Sequence, residues 1–268
     1  VSRTAVEADV VFSLPKLKTH KKAGITVSLK NLVGINGDKN WLPHHTEGDP
    51  GQGGDEHPRP GPLHRLERKL VGRARAMSLA MPKIGPWLHR HARRAGRHVF
   101  GDTEEVVRSG NWWGNDTTWR MCLDLNKILL YGRGDGTLRE DEPKRQLVLV
   151  DGIVAGQGSG PLNPDPMPAG LLLFGSHPPS VDAACAVLMG FDPDRIPIVR
   201  QAFRCKDLPM ASGDWAEVLL SSSRPEWNGT LQQIAPESCL EFRPHFGWTG
   251  HIERRRSPTP SPRAGRQG

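Results

Sequence analysis

Short apolar runs and amphipathic stretches alternate along the first part of the chain. In residues 8–14, apolar and β-branched side chains are cut off by Pro15, which predicts a short buried strand. A basic loop is expected next, over residues 16–22. Residues 25–33 fit both an alternating strand and a helix ending before Gly34, and the sequence leaves the two interpretations open.

The pattern of a compact domain returns after Gly110. Apolar positions at helical spacing predict a helix that is capped by Asp116 or Thr117 and ends at Gly132. Further elements are predicted in this order: buried strands at 147–150 and 170–174, a helix from Pro179 to Gly190, and an edge strand at 215–220.

These elements predict an α/β fold: a mixed sheet with flanking helices, a basic helical insertion and a disordered C-terminal tail. The organisation that we expect is a first part of the α/β domain at 1–45, a Gly/Pro linker and basic insertion at 46–110, a second part at 111–221, and an irregular extension with a basic tail at 222–268. The longest apolar runs are far shorter than the ~20 residues of a membrane-spanning helix. No secretory signal opens the chain, so a cytoplasmic location is expected.

Positive charge is concentrated in two segments. The formal net charge is +7, but eleven Lys and Arg lie between Arg59 and His98 against the single acid Glu67, and five Arg follow from Arg254 onward. The rest of the chain holds 20 Lys and Arg against 28 Asp and Glu, so its body is acidic. A whole-domain electrostatic footprint for DNA is therefore not supported, and sequence-specific nucleic-acid binding is not expected.

The basic insertion predicts an amphipathic helix. Its apolar positions recur at steps of three or four from Leu63 to Met81, with arginines and lysines on the other faces, until Pro82 and Pro86 break the pattern. Residues 63–98 are thus suited to docking on an anionic membrane surface or an acidic protein, and equally to packing on the acidic body of the same chain.

The four cysteines are dispersed at Cys122, Cys185, Cys205 and Cys239. No C-x-x-C spacing occurs, which disfavours a zinc ribbon or an iron–sulfur cluster in this chain. Reduced thiols are the expected state.

Basic side chains gather after the first predicted strand. Lys16, Lys18 and His20 come directly after it, and four further candidates follow: Lys30, Asn31, Lys39 and His44. Ammonium groups suit phosphate or carboxylate, and a neutral histidine can move a proton or bind a metal. We therefore expect an anion pocket. A solvated basic loop is the competing interpretation.

A glycine-rich stretch follows a second predicted strand. Asp151 ends that strand, and Gly152, Gly156, Gly158 and Gly160 come after it. Such backbone can approach a ligand closely and form a nest of N–H groups, while Asp151 can hold a divalent cation or a hydroxyl group. The stretch lacks the Gly-Lys-Ser/Thr of a P-loop, and a plain tight turn explains it equally well.

Three ordered stretches resemble the family called domain of unknown function 362. They are Leu14-Pro-Lys-Leu-Lys-Thr-His20, then Thr26-Val-Ser-Leu-Lys-Asn-Leu-Val-Gly34 with Lys39 and His44, then Asp151 to Pro161 with Val181-Asp182-Ala183. The resemblance implies an α/β domain, which in some relatives is fused to a ferredoxin-like iron–sulfur module. It also implies a strand-and-helix region ahead of the lysine motif, so we expect the chain to be truncated before Val1.

The resemblance strengthens the anion pocket as the first hypothesis for function. Lys18 and His20 are then the candidate catalytic residues, and the candidate substrate-binding residues are Lys16, Lys30, Asn31, Lys39 and the four glycines. Asp151 and His44 are the candidate ligands of a divalent metal, and Asp182 is a weaker site candidate. The alternative is a non-catalytic binding or redox-partner module that docks through the basic insertion. The reaction, the cofactor and the substrate are not fixed by the sequence.

Overall fold

A computed structural model describes residues 1–62, 105–141 and 143–255 of the chain, together with scattered positions between 66 and 91. Most of the predicted basic insertion and the tail beyond Arg255 lie outside the described residues.

One long strand organises the main sheet. The strands are β1 (Val10–Ser13), β2 (Lys16–His20), β3 (Gly24–Thr26), β4 (Arg145–Gln157), β5 (Asp165–Met167) and β6 (Leu171–Gly175). The first half of β4 pairs in parallel with β1 and antiparallel with β6. Its second half pairs in parallel with β2 and antiparallel with β5, and β3 joins β2 antiparallel. The predicted α/β class with a mixed sheet is confirmed.

Helices pack on one face of this sheet. Their bounds are α1 (Arg3–Glu7), α2 (Ser28–Asn31), α3 (Thr118–Tyr131), α4 (Pro178–Leu188) and α5 (Pro197–Arg204). Helix α4 lies against β4 and β6, and α2 packs against both α3 and α4. Val148 and Leu173 from the sheet share one core cluster with Val181 from α4. The core therefore lies between the sheet and α4, with α2 held at its edge.

The opposite face of the sheet carries exposed apolar side chains. Phe12, Leu172 and Phe174 are 53%, 60% and 64% exposed. They occupy alternate positions of β1 and β6, whose other side chains point into the core.

No helix among the described residues is long and apolar enough to cross a membrane.

Strand pairing overrides the local sequence pattern near the N-terminus. The basic segment expected as a loop forms strand β2 as far as His20, because Leu17 and Thr19 are buried and the strand pairs with β4. The ambiguous residues 25–33 contain both predicted elements, β3 followed by α2. The strand expected at 147–150 extends over the 13 residues of β4, and α5 was not predicted.

The Gly- and Pro-rich segment after residue 45 is a hydrogen-bonded loop as far as His57. Buried Asp55 organises it: its carboxylate accepts the backbone N–H groups of Thr46, Asp116 and Thr117 at 2.6, 2.8 and 2.8 Å. The loop therefore holds the two residues before α3 in place with an acid from a distant part of the sequence. Thr117 is the N-cap residue of α3, as predicted, but its side chain makes no capping hydrogen bond.

The C-terminal extension contributes to the core. Residues 215–220 form a 3₁₀ turn and a short strand, β7 (Leu219–Leu220), which pairs with β8 (Gly229–Thr230) rather than with the main sheet. Further on, Trp248 is fully buried, and its indole N–H donates to the carbonyl of Lys21 at 2.8 Å. This contact brings the extension against the turn that follows β2.

Candidate anion-binding site

Strand β2 places basic side chains at alternate positions. Leu17 and Thr19 point into the core, so Lys16, Lys18 and His20 lie on the other side of the strand. Lys16 is exposed, Lys18 is half-buried and His20 is buried. The row of basic groups therefore runs from solvent into the interior.

His20 is held as a neutral hydrogen-bond donor. Its Nδ1 accepts the backbone N–H groups of Lys22 and Ala23, both at 3.0 Å. Burial lowers the pKa of His20 well below its usual value, and the positive charge of Lys30 lowers it further. A neutral imidazole whose Nδ1 accepts hydrogen bonds carries its proton on Nε2. His20 thus offers an Nε2–H donor and leaves no ring lone pair for a metal, so its predicted role as a possible metal ligand is not supported.

Lys30 carries a buried amine without a counterion among the described residues. Lys30 is 9% exposed, and its amine makes no hydrogen bond or ion pair with the described residues. Burial lowers its pKa, and the charge of Lys18 acts in the same direction. Buried lysines are ordinarily paired, so an unpaired one marks a position where an anion would be stabilised.

Lys22 completes the group from the turn after β2. Its Nζ donates to the carbonyl of His44 at 3.1 Å and lies 3.4 Å from Nδ1 of His45. Burial lowers the pKa of Lys22 to about 8, and the charges of Asp55 and Glu56 oppose that shift. Burial also lowers the pKa of His45. We call Lys18, His20, Lys22 and Lys30 the cationic cluster.

Nearby carboxylates are engaged with backbone rather than with the cationic cluster. Asp182 of α4 is fully buried and accepts the N–H of Ser28 at 2.8 Å and that of Leu29 at 3.2 Å. It thereby caps α2, the short helix that carries Lys30. Burial raises the pKa of Asp182 well above its usual value. The acid positions Lys30 and does not neutralise it.

Lys16 and Asp151 form a separate, exposed pair. The Lys16 Nζ lies 2.9 Å from Oδ2 of Asp151, and this hydrogen bond lowers the pKa of Asp151. The two ends of β2 are about 13 Å apart at the usual rise of a strand, so the pair is distant from His20. Lys16 is thus occupied by Asp151 and not by the buried cluster.

The predicted metal ligands are not brought together. The Asp151 carboxylate faces Lys16, whereas the Nδ1–H of His44 donates to the carbonyl of Leu42 at 2.8 Å. In the part of the chain that the structure describes, no three His, Cys, Asp or Glu side chains are grouped to hold a metal ion. The donor set does not fit a divalent cation here.

The structure places the side chain of Asn31 but does not describe that of Lys39. The amide of Asn31 is exposed and donates to the hydroxyl of Ser13 at 3.1 Å, at the end of β1. The side chain of Lys39 lies outside the described residues. Their predicted contacts with a substrate remain predictions.

Close packing accounts for three of the four glycines that follow Asp151, and Gly158 has a φ of +70°. A Cβ on Gly160 would lie 2.0 Å from the Thr19 carbonyl oxygen, and one on Gly156 would lie 2.8 Å from Pro164. Near Gly152, the Leu171 carbonyl oxygen would be 3.0 Å away. These positions have room only for hydrogen, so they let neighbouring backbone approach closely.

The N–H groups of this turn do not form the open nest predicted for them. The N–H of Gly158 donates to the carbonyl of Arg243 at 2.8 Å, and that of Gly160 donates to the carbonyl of Gly158 at 2.8 Å. Thr19 donates its hydroxyl to the Gly158 carbonyl at 3.0 Å. The turn therefore buttresses β2 rather than presenting free donors to a ligand.

A family model described as "Domain of unknown function (DUF362)" matches residues 1–187. The chain belongs to the DUF362 family. The match covers more than half of the 268 residues and contains the cationic cluster, the glycine turn and Asp182. No curated protein and no solved structure matches this DUF362 protein.

Sequence reasoning identified three members of the cationic cluster and missed the fourth. Lys22 belongs to the basic run after β2, but its place in the cluster depends on the loop around Asp55, which no local pattern predicts. Asp182 and Asp55 position the cluster, and only the fold shows that both acids are buried.

Proposed function

We propose that this DUF362 protein binds an anionic small molecule, bearing a phosphate or a carboxylate, at the cationic cluster. The observation that carries the proposal is Lys30, a buried amine with no partner among the described residues. Like charges held together in the interior repel one another, and this cost is relieved when an anion binds.

Each member of the cluster has a distinct role in this proposal. Lys18 is half-buried and meets the ligand from the solvent side, while Lys30 lies deeper. The Nε2–H of His20 donates a hydrogen bond to an oxygen of the anion and keeps this role over the whole neutral pH range, because the ring is already neutral. Lys22 adds charge while it also secures the loop at His44.

Thermal unfolding with inorganic pyrophosphate tests the proposal. A ligand at about 100 times its Kd stabilises the folded state by about 2.7 kcal/mol, which gives a clear rise in the melting temperature. We expect that rise for the natural chain and for Lys206→Met, whose lysine is exposed and distant in sequence from the cluster. Lys18→Met should reduce it. If Lys18→Met and Lys206→Met respond equally to pyrophosphate, the cluster is not the binding site.

A second candidate function concerns the basic insertion. At described positions of this segment, Leu66, Leu70 and Met77 are exposed, and their spacing fits one face of a helix. Together with the eleven Lys and Arg between Arg59 and His98, they favour attachment to an anionic lipid surface.

Co-sedimentation with vesicles tests this second function. Binding is expected to phosphatidylserine-containing vesicles and not to pure phosphatidylcholine, and the triple variant Leu66→Glu, Leu70→Glu, Met77→Glu should lose it. Undiminished binding of the triple variant would reject the lipid surface. Failure to bind either vesicle would also reject it and leave an acidic protein as the competing partner.

A further inference from the structure

Lys30 differs from the other lysines near the site in having a desolvated and uncommitted amine. Lys16 is paired with Asp151, and Lys22 donates to the carbonyl of His44. Lys30 has no such partner among the described residues. Some side-chain atoms of the described residues have no hydrogen-bond partner and no contact with solvent, and Lys30 Nζ is not one of them. The amine of Lys30 therefore retains some contact with solvent.

The surroundings of Lys30 favour a neutral amine. The lysine is buried on α2, and no described carboxylate pairs with it. Burial is the main cause that lowers the pKa of Lys30; the thiol of Cys122 opposes it and the cation Lys18 adds to it. Burial raises the pKa of the Cys122 thiol to about 12. A lysine that is desolvated beside another cation is the usual form of an amine nucleophile.

We propose that Lys30 forms an imine with a small anionic carbonyl compound, such as a 2-oxo acid or a phosphorylated aldehyde. The inference rests on the proposed function, because the carboxylate or phosphate of this compound would be held by Lys18. The anion would thus bring the carbonyl group to the only amine of the cluster that is both deeply buried and unpartnered among the described residues.

The reaction balances without an external oxidant or reductant. The nitrogen lone pair of neutral Lys30 attacks the carbonyl carbon, a C–N bond forms, and one N–H proton moves to the carbonyl oxygen. The second N–H proton then leaves with that oxygen as water, and the C=N bond forms. His20 supports the first step, because its Nε2–H donates to the oxygen as negative charge develops there. A neutral imidazole in this role polarises a carbonyl without protonating it.

Reductive trapping with glyoxylate and sodium cyanoborohydride tests the inference on the full chain. Cyanoborohydride supplies the hydride that converts an imine into a stable secondary amine, and peptide mass mapping locates it. We expect Lys30 to be modified faster than exposed Lys206, because burial favours its neutral, nucleophilic form. Modification of Lys30 no faster than that of Lys206, or none at Lys30, would overturn the proposal.

Inorganic pyrophosphate separates this inference from the proposed function. We expect pyrophosphate to slow the trapping at Lys30 and to leave that at Lys206 unchanged. If pyrophosphate raises the melting temperature but Lys30 is not trapped, imine formation is wrong and anion binding stands. If pyrophosphate does not stabilise the chain and Lys30 is not trapped, both proposals fail. Site mapping uses the natural chain, so the test does not depend on whether Lys30→Met folds.

Discussion

Oδ1 of Asp182 accepts the backbone N–H of Ser28 at 2.8 Å, across 154 positions of sequence. This hydrogen bond joins α4, which packs on the sheet, to the first residue of α2, which carries Lys30. A four-residue helix has little stability of its own. The position of Lys30 therefore depends on a carboxylate that does not touch it.

Asp182→Ala is expected to destabilise the chain by about 2–4 kcal/mol, because it leaves the buried N–H groups of Ser28 and Leu29 without an acceptor. Asp182→Asn keeps one carbonyl oxygen and should lose less. Urea unfolding measures both, with Asp124→Ala on the exposed side of α3 as the control. Equal stability of Asp182→Ala and Asp124→Ala would show that the cap is not needed.

The buried ring of His20 predicts a difference between two substitutions. His20→Ala removes the acceptor for the N–H groups of Lys22 and Ala23 and should cost about 2 kcal/mol or more. His20→Asn places an amide oxygen near the position of Nδ1 and should recover part of that loss. Chemical denaturation provides the comparison. Equal losses for the two variants would contradict the role given to Nδ1.

The lowered pKa of Lys22 predicts that anion binding weakens above neutral pH. The folded-state value is about 8 against 10.5 for a free lysine, so Lys22 loses its charge as the pH rises through 8. Isothermal titration with pyrophosphate should therefore show a falling affinity between pH 7 and 9. The charges near Lys22 are Lys21, Lys30, Asp55, Glu56 and His45. Lys22→Met should bind more weakly at pH 7 and show a flatter profile, and an unchanged profile would refute the assignment.

The lowered pKa of Lys22 has the opposite effect on folding stability, which it makes rise with pH. Between pH 8 and 10.5 the unfolded chain holds a proton at Lys22 that the folded chain has released, so this residue makes stability rise with pH over that window. Lys22→Met should lack this rise. Unfolding measured from pH 7 to 10 for both chains, without ligand, checks the sign.

Close approach at Gly160 predicts a steric effect of a single methyl group. Gly160→Ala would place Cβ 2.0 Å from the carbonyl oxygen of Thr19, which forces the backbone apart and should cost about 1–3 kcal/mol or more. Gly34→Ala is the matched control, because its Cβ would meet nothing within 4 Å. Thermal unfolding distinguishes the two variants. Equal melting temperatures would show that close packing of Gly160 against β2 does not stabilise the fold.

The sequence predicted those elements whose pattern is local. Helix α3 and strand β6 lie close to where apolar spacing and turn residues place them. Strand β2 was not predicted, because a lysine-rich segment becomes a strand only when β4 supplies the backbone partners. The length of β4 escaped prediction for the same reason, since its second half carries glycines and pairs with β2 and β5.

The site was predictable by residue type but not by arrangement. Lys18, His20 and Lys30 stand out as a basic group close together in sequence. Their separation from the Lys16–Asp151 pair follows from the length of β2, and the tautomer of His20 follows from two backbone donors. The spacing of these residues in the sequence predicts neither the separation nor the tautomer. The glycines were noticed for the conformations that they allow. Gly158 uses this freedom with a φ of +70°, whereas Gly156 and Gly160 are needed for the space they leave.

The buried position of Trp248 has a practical consequence for truncating this chain to the residues that match the family model. Cutting after residue 187 would end the polypeptide within the last turn of α4 and discard the indole that seals the turn beside His20. Phe191, Ile196 and Ile252, all fully buried, would be lost with it. The buried core thus extends more than sixty residues beyond the family match, to Ile252.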